Sequence, residues 1–231
     1  MTKKRRRRLA HPRRLAVTTS PRAGWGVALE VGGVVQSVSV PTTTAQDQRE
    51  QRDAEPRPGP GGGYWGLLLP PGCPRRALLL GLGGGTVAWL LVQRCPAIQL
   101  VGVERDPEVL SVAQADFALA ALPQLAVVEA DAFGWVAEQA AATPGRFDLI
   151  CLDLFEAGRL APGALATPFL RQLAALLTPD GTLTVNLMVT GRTGEQVHRL
   201  RRVFTVTREL RLRGNLVVHA QPASQANLAP E

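Results

Sequence analysis

Cysteine is scarce in this 231-residue chain, and long hydrophobic runs are absent. The three cysteines, Cys73, Cys95 and Cys151, are far apart and form no CxxC pair. This pattern excludes a disulfide framework and a zinc site built from cysteine alone, and it is typical of a reducing cytoplasm. No apolar run approaches the roughly 20 residues that span a bilayer. We therefore expect a cytoplasmic protein without membrane contact, with one α/β domain and a smaller appendage.

Acidic residues are absent from residues 1–14, which contain eight lysines and arginines. Because the formal net charge of the whole chain is +7, the remainder carries only −1. A basic segment of this kind predicts a disordered tail, here residues 1–23, that would contact nucleic acid weakly. A solvated arm without a partner, or translation from an upstream start codon, explains the same charge.

Hydrophobic residues larger than alanine are absent from residues 41–63. Such a segment buries no core, so we expect a flexible linker. Before it, residues 24–40 alternate like strands around Gly32-Gly33 and predict a small N-terminal β-hairpin. At the other end, residues 222–231 are predicted to be a C-terminal tail.

Residues 64–221 repeat the order of strand followed by helix. Their short apolar runs are typical of parallel strands that are covered on both faces. The predicted strands are 77–82, 98–104, 125–130, 147–152 and 182–187, and the predicted helices are 86–94, 107–120, 132–142, 165–177 and 192–203. A two-residue connection, Gly214-Asn215, then joins two strands that must be antiparallel. The predicted fold class is α/β, with a doubly wound, mostly parallel seven-stranded sheet and an antiparallel C-terminal hairpin.

A glycine loop, residues 81–85, follows the first predicted strand and precedes a helix that begins at Thr86. Glycines let the backbone approach a ligand, and the free N–H groups at the start of a helix face it. A tight packing turn would also be rich in glycine. The dinucleotide fingerprint requires glycine where Thr86 stands, so NAD is only a minor alternative.

Acidic residues follow the ends of the next predicted strands, where open α/β sheets bind ligands. Glu104 has the spacing of a carboxylate that accepts ribose hydroxyls. Asp131 would accept from an adenine amino group, and Ala132 would leave room for the base. Asp153, with Glu156 close by in the chain, would take a proton from an attacking amine. Simpler interpretations of these acids are helix-terminal charge, an N-cap and loop acids.

Together these residues resemble the polyamine aminopropyltransferases, the spermidine synthase-like branch of the class I S-adenosylmethionine-dependent transferases. The similar segments are Gly81-Leu82-Gly83-Gly84-Gly85, Glu104, Asp131-Ala132 and Asp153-Leu154-Phe155-Glu156. The resemblance covers residues 24–220 and implies that residues 64–221 form a Rossmann-like transferase domain.

The resemblance also implies a role for each matching residue. Gln36 would contact the nucleotide together with the loop glycines Gly81, Gly83 and Gly85. Glu104 would bind the ribose, and Asp131 with Ala132 would bind the adenine. Asp153 would be the catalytic acid/base, Glu156 would help to hold a cationic acceptor, and Tyr64 would lie in the acceptor site.

The chain departs from this family where the family holds cationic groups. Gly84 replaces an aspartate that grips the aminopropyl amine, and Trp65-Gly66 replace a polar residue and a glutamate after the tyrosine. Losing the partner of a buried ammonium costs several kcal/mol, which argues against ordinary polyamine turnover.

The predicted function is transfer of an aminopropyl or related alkyl group to an amine acceptor. The donor would be S-adenosylmethionine or its decarboxylated form, and no metal is needed. One alternative is a methyltransferase, whose donor carboxylate the N–H groups of the glycine loop would bind. The other is a non-catalytic nucleotide-binding protein. The predicted partners are a small-molecule amine and a second copy of the chain in a homodimer.

Overall fold

The structure is a computed structural model that describes residues 16–22, 26–40, 59 and 62–223. The basic segment before residue 16, most of the predicted linker and residues 224–231 lie outside the described residues. None of the described helices has the length and apolar character needed to cross a bilayer.

The N-terminal part is an antiparallel sheet of three strands, β1 (Val17–Arg22), β2 (Gly26–Val31) and β3 (Val34–Val38). Strands β2 and β3 are the predicted hairpin. Strand β1 corrects the predicted tail, because residues 17–22 pair with β2 along their whole length. Their Thr-Thr-Ser-Pro sequence lacks apolar alternation, since an edge strand buries little side-chain surface.

The central sheet has seven strands in the order β11-β12-β10-β7-β4-β5-β6. The strands are β4 (Arg76–Leu80), β5 (Gln99–Glu104), β6 (Leu125–Glu129), β7 (Phe147–Leu152), β10 (Leu177–Met188), β11 (Phe204–Leu212) and β12 (Asn215–Pro222). Five of them are parallel, and β12 and β11 run antiparallel at one edge. The predicted fold class is therefore confirmed. A short hairpin, β8 (Phe155–Glu156) and β9 (Arg159–Leu160), lies outside this sheet.

The described helices are α1 (Thr86–Arg94), α2 (Pro107–Asp116), α3 (Ala132–Ala142), α4 (Thr167–Leu176) and α5 (Thr193–Arg201). Two short 3-10 helices, Tyr64–Leu68 and Leu119–Ala121, complete the described elements. Helix α2 is shorter than predicted, because Ala118 adopts a left-handed backbone with φ of 52°. That turn brings Leu119 against the glycine loop.

The core lies on both faces of the central sheet, as expected for parallel strands between helix layers. In β4 the side chains alternate, with Leu78 and Leu80 in one apolar cluster and Ala77 and Leu79 in the other. All four are at most 3% exposed. Each fully buried leucine contributes about 1.5–3 kcal/mol of transfer free energy, so this strand anchors the loop that follows it.

The N-terminal sheet is attached to the glycine loop by two hydroxyl side chains. Thr86 Oγ1 accepts from the backbone N–H of Val38 at 2.8 Å and donates to its carbonyl oxygen at 2.7 Å. Ser37 Oγ accepts from the N–H of Gly84 at 2.8 Å. Thr86, which replaces the glycine of the dinucleotide fingerprint, therefore anchors β3, and β3 brings Gln36 to the loop.

A disulfide joins Cys73 and Cys95, in contrast to the expectation from the cysteine spacing. The two residues are 22 positions apart in sequence, but helix α1 returns the chain to the amino end of the sheet. Arg94 fixes the same region by donating to the carbonyl oxygens of Pro70 and Gly72.

Cys151 is a small core residue, as predicted, and burial raises the pKa of its thiol to about 12. The cysteines therefore no longer favour a reducing compartment.

Candidate active site

A cavity of about 570 Å³ opens at the carboxyl ends of the central parallel strands. Its volume lies in the range that holds a ligand of nucleoside size. Strand β3 contributes Gln36, and the glycine loop contributes Gly81 and Gly83. Most of the remaining wall comes from the carboxyl end of β5 and from the segments that follow β5, β6 and β7.

Glu104, at the end of β5, is held by backbone N–H groups. One carboxylate oxygen accepts from Gly83 at 3.1 Å, and the other accepts from Arg105 at 2.9 Å and Asp106 at 3.1 Å. These bonds tie the loop after β4 to the loop after β5 and fix the carboxylate at the cavity wall. Among the described residues, the oxygen bonded to Gly83 accepts only this one bond, so it retains capacity for ligand hydroxyls.

Asp131 is both the N-cap of α3 and a residue of the cavity wall. Its Oδ1 accepts from the N–H groups of Phe133 and Gly134, each at 3.0 Å. The capping interpretation and the ligand interpretation are therefore compatible, since capping uses one oxygen of the carboxylate. Ala132 lines the same part of the cavity, and its small side chain leaves the adjoining space open.

The N–H groups of the glycine loop are already bonded within the protein, which corrects the expectation of free donors. The N–H of Gly83 donates to Glu104, that of Gly84 to Ser37, and that of Gly85 to the carbonyl oxygen of Leu82 at 2.9 Å. The loop consequently offers no ready anion site at these three positions.

Glycine is required in this loop by close packing. Gly81 has φ of 86°, and a Cβ there would collide with the carbonyl oxygen of Asp153. At Gly84 a Cβ would lie 2.9 Å from the side chain of Ser37 and 3.0 Å from that of Phe117. The position that carries an aspartate in the resembling family is therefore closed in this chain.

Asp153, at the end of β7, is held by side chains from distant segments. Tyr64 Oη donates to Oδ2 at 2.9 Å, and Asn186 Nδ2 donates to Oδ1 at 2.9 Å. Asn186 is 1% exposed. Its Oδ1 in turn accepts from Asn215 Nδ2 at 2.9 Å. Residues of β10 and of the 3-10 helix before β4 thus contact the carboxylate that follows β7, and Asn215 of β12 supports Asn186.

Burial raises the pKa of Asp153 from 3.8 to about 6, although the hydrogen bonds from Asn186 and Tyr64 act in the opposite direction. Burial, followed by the negative charge of Asp153, raises the pKa of Tyr64 well above its usual value. Tyr64 therefore remains a protonated donor, while Asp153 changes its charge near neutral pH. A carboxylate in this range can take up and release a proton under ordinary conditions.

Glu156, the second predicted catalytic acid, forms an ion pair with Arg105 at 2.5 Å. The pair connects the loop after β5 with strand β8, and both residues line the cavity. The side chains are 54% and 39% exposed, so the interaction is weak in energy. A cationic acceptor would compete with Arg105 for the Glu156 carboxylate.

The structure places most of the predicted site residues around this one cavity. Those that line it are Gln36, Gly81, Gly83, Glu104, Asp131, Ala132, Asp153 and Glu156. Gly85 is the N-cap of α1 and packs on Leu119. Tyr64 contacts Asp153 and is not part of the lining.

Sequence reasoning missed Arg105, Asn186 and Asn215. A lone amide within the apolar strand 183–188 was the available signal for Asn186, since a buried polar side chain requires a partner. Asn215 was interpreted only as part of a turn. In the described part of the chain, no group of three or more His, Cys, Asp or Glu side chains could hold a metal ion.

Similar sequences are transferases of two kinds. A polyamine aminopropyltransferase of Vibrio vulnificus is 31% identical over 127 residues, which are 55% of this chain and 42% of that protein. The human eEF1A lysine and N-terminal methyltransferase is 28% identical over 123 residues, which are 50% of this chain and 18% of that protein. The chain thus spans less than half the length of these curated relatives. No sequence model of a known protein family matches it.

Similar solved structures show the same fold. A spermidine synthase in complex with the transition-state analogue AdoDATO superposes with a TM-score of 0.63 at 15% identity, over 93% of this chain and 72% of that chain. Human methyltransferase-like protein 13 in complex with SAH superposes with a TM-score of 0.58 at 24% identity, over 80% and 83%. These findings confirm the resemblance to the spermidine synthase-like class I S-adenosylmethionine-dependent transferases. The chain is a homologue of transferases of the aminopropyltransferase and methyltransferase class.

Proposed function

We propose that this chain binds S-adenosylmethionine or its decarboxylated form in the cavity and transfers an aminopropyl or related alkyl group to an amine. The observation that carries this proposal is Asp153, a carboxylate at the cavity wall with a donor on each oxygen and a pKa raised to about 6. The relatives and solved structures above make the adenosyl-sulfur ligand the natural occupant of the same cavity.

In this proposal the nucleoside lies between the loops after β5 and β6. Glu104 accepts the ribose hydroxyls, and the Asp131 oxygen that capping leaves unused accepts the adenine amino group. Gln36 covers the nucleoside from the N-terminal sheet. The carboxylates of Glu104 and Asp131 are already held by hydrogen bonds within the protein, so these two side chains lose little freedom on binding.

The charge of the cavity suits a cationic donor. The described lining contains five carboxyl side chains, Glu104, Asp106, Asp131, Asp153 and Glu156, and one guanidinium, Arg105. A sulfonium ion gains from a nearby carboxylate, and the carbon next to it is already activated for substitution. The protein therefore needs mainly to position the acceptor and to remove its proton.

Asp153 is suited to the second task. Most amines are protonated at pH 7 and are not nucleophilic in that form. The Asp153 carboxylate orients the ammonium of the acceptor and takes its proton first, which frees the lone pair of the amine. The amine then forms the bond to carbon as the carbon–sulfur bond breaks, and the donor leaves as a neutral thioether. Tyr64 and Asn186 hold the carboxylate in place during this step.

Methyl transfer is a second candidate, and Gly84 favours it. Ser37 and Phe117 close the position where an aspartate would hold an aminopropyl amine. The bonded N–H groups of the glycine loop argue against methyl transfer. A methyltransferase must bind the carboxylate of its donor, and these groups are not free to do so.

A transfer assay with both donors tests the proposal. Purified protein is incubated with S-adenosylmethionine or decarboxylated S-adenosylmethionine and a panel of amines, and products are identified by mass spectrometry. We expect a product with one donor, and its added mass distinguishes an alkylamine from a methyl group.

The matched control is Asp153→Asn, which removes the ionisable group and keeps the size of the side chain. Turnover should fall by roughly 10²–10⁴-fold, the range for a positioned acid or base. Donor affinity should stay nearly unchanged, since the ribose and adenine contacts are elsewhere. Equal turnover in the variant and the parent would show that Asp153 is only a loop acid without a role in proton transfer. If both proteins bind donor and neither transfers a group, the result favours a non-catalytic nucleotide-binding protein.

A further inference from the structure

Two asparagine side chains connect Asp153 to the antiparallel edge of the central sheet. Asn186 lies near the end of β10, and Asn215 is the first residue of β12. The pairing of these strands sets Met188 opposite Asn215 and Asn186 opposite Val217, so the two asparagines are diagonal neighbours. The Asn215 amide bridges them at 2.9 Å.

The direction of these hydrogen bonds matters, because an amide has one donor end and one acceptor end. Asn215 Nδ2 donates to Asn186 Oδ1, and Asn186 Nδ2 then faces Asp153 Oδ1 at 2.9 Å. If the Asn186 amide were reversed, its oxygen would face the carboxylate oxygen, and two acceptors would be in contact. Asn215 therefore stabilises the orientation in which Asn186 presents its NH₂ group to Asp153.

We propose that Asn186 and Asn215 are positioning residues: Asn215 locks the Asn186 amide so that its NH₂ group holds the Asp153 carboxylate in the orientation needed for proton transfer. This inference rests on the proposed function of Asp153. It assigns a role to the antiparallel hairpin, which otherwise lies at the edge of the parallel sheet and lines no part of the cavity.

The burial and the hydrogen bonds of the two asparagines support this positioning role. Asn186 lies within an apolar strand, and its neighbours Val185 and Leu187 are fully buried. An amide at such a place costs free energy unless it is hydrogen-bonded, and here both of its ends are used. Asn215 is half-buried and also contacts Met188 Sδ at 3.6 Å.

Other groups around Asp153 must be considered before a titration is attributed to the asparagines. They are Tyr64 from the 3-10 helix, Cys151 on β7 itself and, around the cavity, Glu104, Arg105, Asp106, Asp131 and Glu156. The pKa values of Tyr64 and Cys151 are both raised, so these two groups remain neutral while Asp153 titrates. Substitutions at position 215 leave all of these side chains in place.

The test compares Asn215→Asp, Asn215→Ala and a control, Thr207→Val. An aspartate at position 215 accepts but does not donate, so the Asn186 amide should reverse and present its oxygen to Asp153. Alanine removes the lock without adding charge. Thr207 donates to the carbonyl oxygen of His219 at 3.2 Å in the same hairpin and is remote from the network. Its substitution therefore reports any general weakening of the hairpin.

Two readouts are collected for each variant. Carbon NMR of aspartate-labelled protein without ligand gives the pKa of the Asp153 carboxyl, assigned by its loss in Asp153→Asn. We expect that pKa to rise by about 1 pH unit in Asn215→Asp and by less in Asn215→Ala, and to stay constant in Thr207→Val. In the transfer assay the pH profile of kcat should move by the same amounts, with an unchanged KM for the donor.

An unchanged Asp153 titration in Asn215→Ala would overturn the proposal, even if Asn215→Asp moved it, because the added charge alone would then explain the shift. A change in donor KM without a change in the pH profile would also overturn it. The NMR titration needs no turnover. If the parent transfers nothing, the proposed function fails while the titration still decides whether the asparagines control Asp153.

Discussion

The two halves of the cavity hold their acidic residues in different ways. Glu104 and Asp131 accept from backbone N–H groups, most of them in their own loops, in the half that we propose binds the nucleoside and call the nucleoside half. Asp153 accepts from side chains 89 and 33 residues away in sequence, in the half that we propose carries the reaction and call the reacting half. Backbone donors hold the carboxylates of Glu104 and Asp131 in place, whereas burial among side chains brings the pKa of Asp153 to about 6. In the proposed function, binding and proton transfer therefore make different demands on the same type of residue.

The Cys73–Cys95 disulfide lies at the amino ends of the strands, whereas the cavity lies at their carboxyl ends. The disulfide therefore serves as a reference for both halves of the cavity. Its reduction should have the largest effect on stability, about 3 kcal/mol for a closed loop of this length. Both halves of the cavity should be unaffected in the folded protein. Urea unfolding with and without a reductant measures the first expectation, and calorimetry with methylthioadenosine measures the second. A loss of nucleoside affinity on reduction would show that the cavity depends on this edge.

Ionisation of the half-buried Asp153 carboxyl should lower the stability of the folded chain. The folded-state pKa of Asp153 is raised above its unfolded value, so the folded chain holds this proton more tightly. The resulting stability is fully present below about pH 4 and is lost as the pH rises through about 6. At pH 7 the ionised Asp153 lowers the free energy of unfolding by at most about 3 kcal/mol.

Asp153→Asn, which does not ionise, should therefore be more stable than the parent at pH 7, and the difference should disappear near pH 4. Urea unfolding at the two pH values measures this. If the stability difference were the same at both pH values, Asp153 would titrate like an exposed acid. The contrast between the two halves of the cavity would then be wrong.

Glu104→Ala tests whether the nucleoside half contributes to donor affinity and not to turnover. Donor affinity should fall by about 1–3 kcal/mol, the usual loss for hydrogen bonds to a charged group. Turnover at saturating donor should stay close to that of the parent, which is the reverse of the expectation for Asp153→Asn. Glu108, an exposed acid nearby on α2 that lines no part of the cavity, provides the matched control as Glu108→Ala. Calorimetry and kcat together separate the two effects.

Asp131 gives the smallest expected effect and separates capping from binding. Asparagine caps helices as well as aspartate does, whereas alanine loses about 1 kcal/mol. Asp131→Asn should therefore keep the thermal stability of the parent and weaken only nucleoside binding, and Asp131→Ala should reduce both. If Asp131→Asn binds nucleoside as tightly as the parent does, Asp131 acts only as a cap.

The nucleoside half was predictable from sequence because its geometry is local. Glu104 and Asp131 follow strands directly, and the bonds that orient them come mostly from the next two or three residues. The glycine loop was recognised for the same reason. Its donors were wrongly expected to be free, because Ser37 reaches it from 47 residues away.

The reacting half was only partly predictable, because its contacts join distant segments. The position of Asp153 was correct, but Asn186 and Asn215 become relevant only when β12 pairs with β10. The pairing of Cys73 with Cys95 was missed for a similar reason, since it depends on how helix α1 returns the chain. Strand β1 lacked the apolar alternation that identifies a strand.

Calorimetric titration with adenosyl ligands tests most directly whether the cavity is an adenosyl-sulfur site. The purified protein would be titrated with S-adenosylmethionine, its decarboxylated form, methylthioadenosine and NADH, and Glu104→Ala would serve as the variant. We expect at least one of the three adenosyl-sulfur ligands to bind clearly more tightly than NADH, and that binding to weaken in the variant. Tight binding of NADH with no heat from any adenosyl-sulfur ligand would contradict the account.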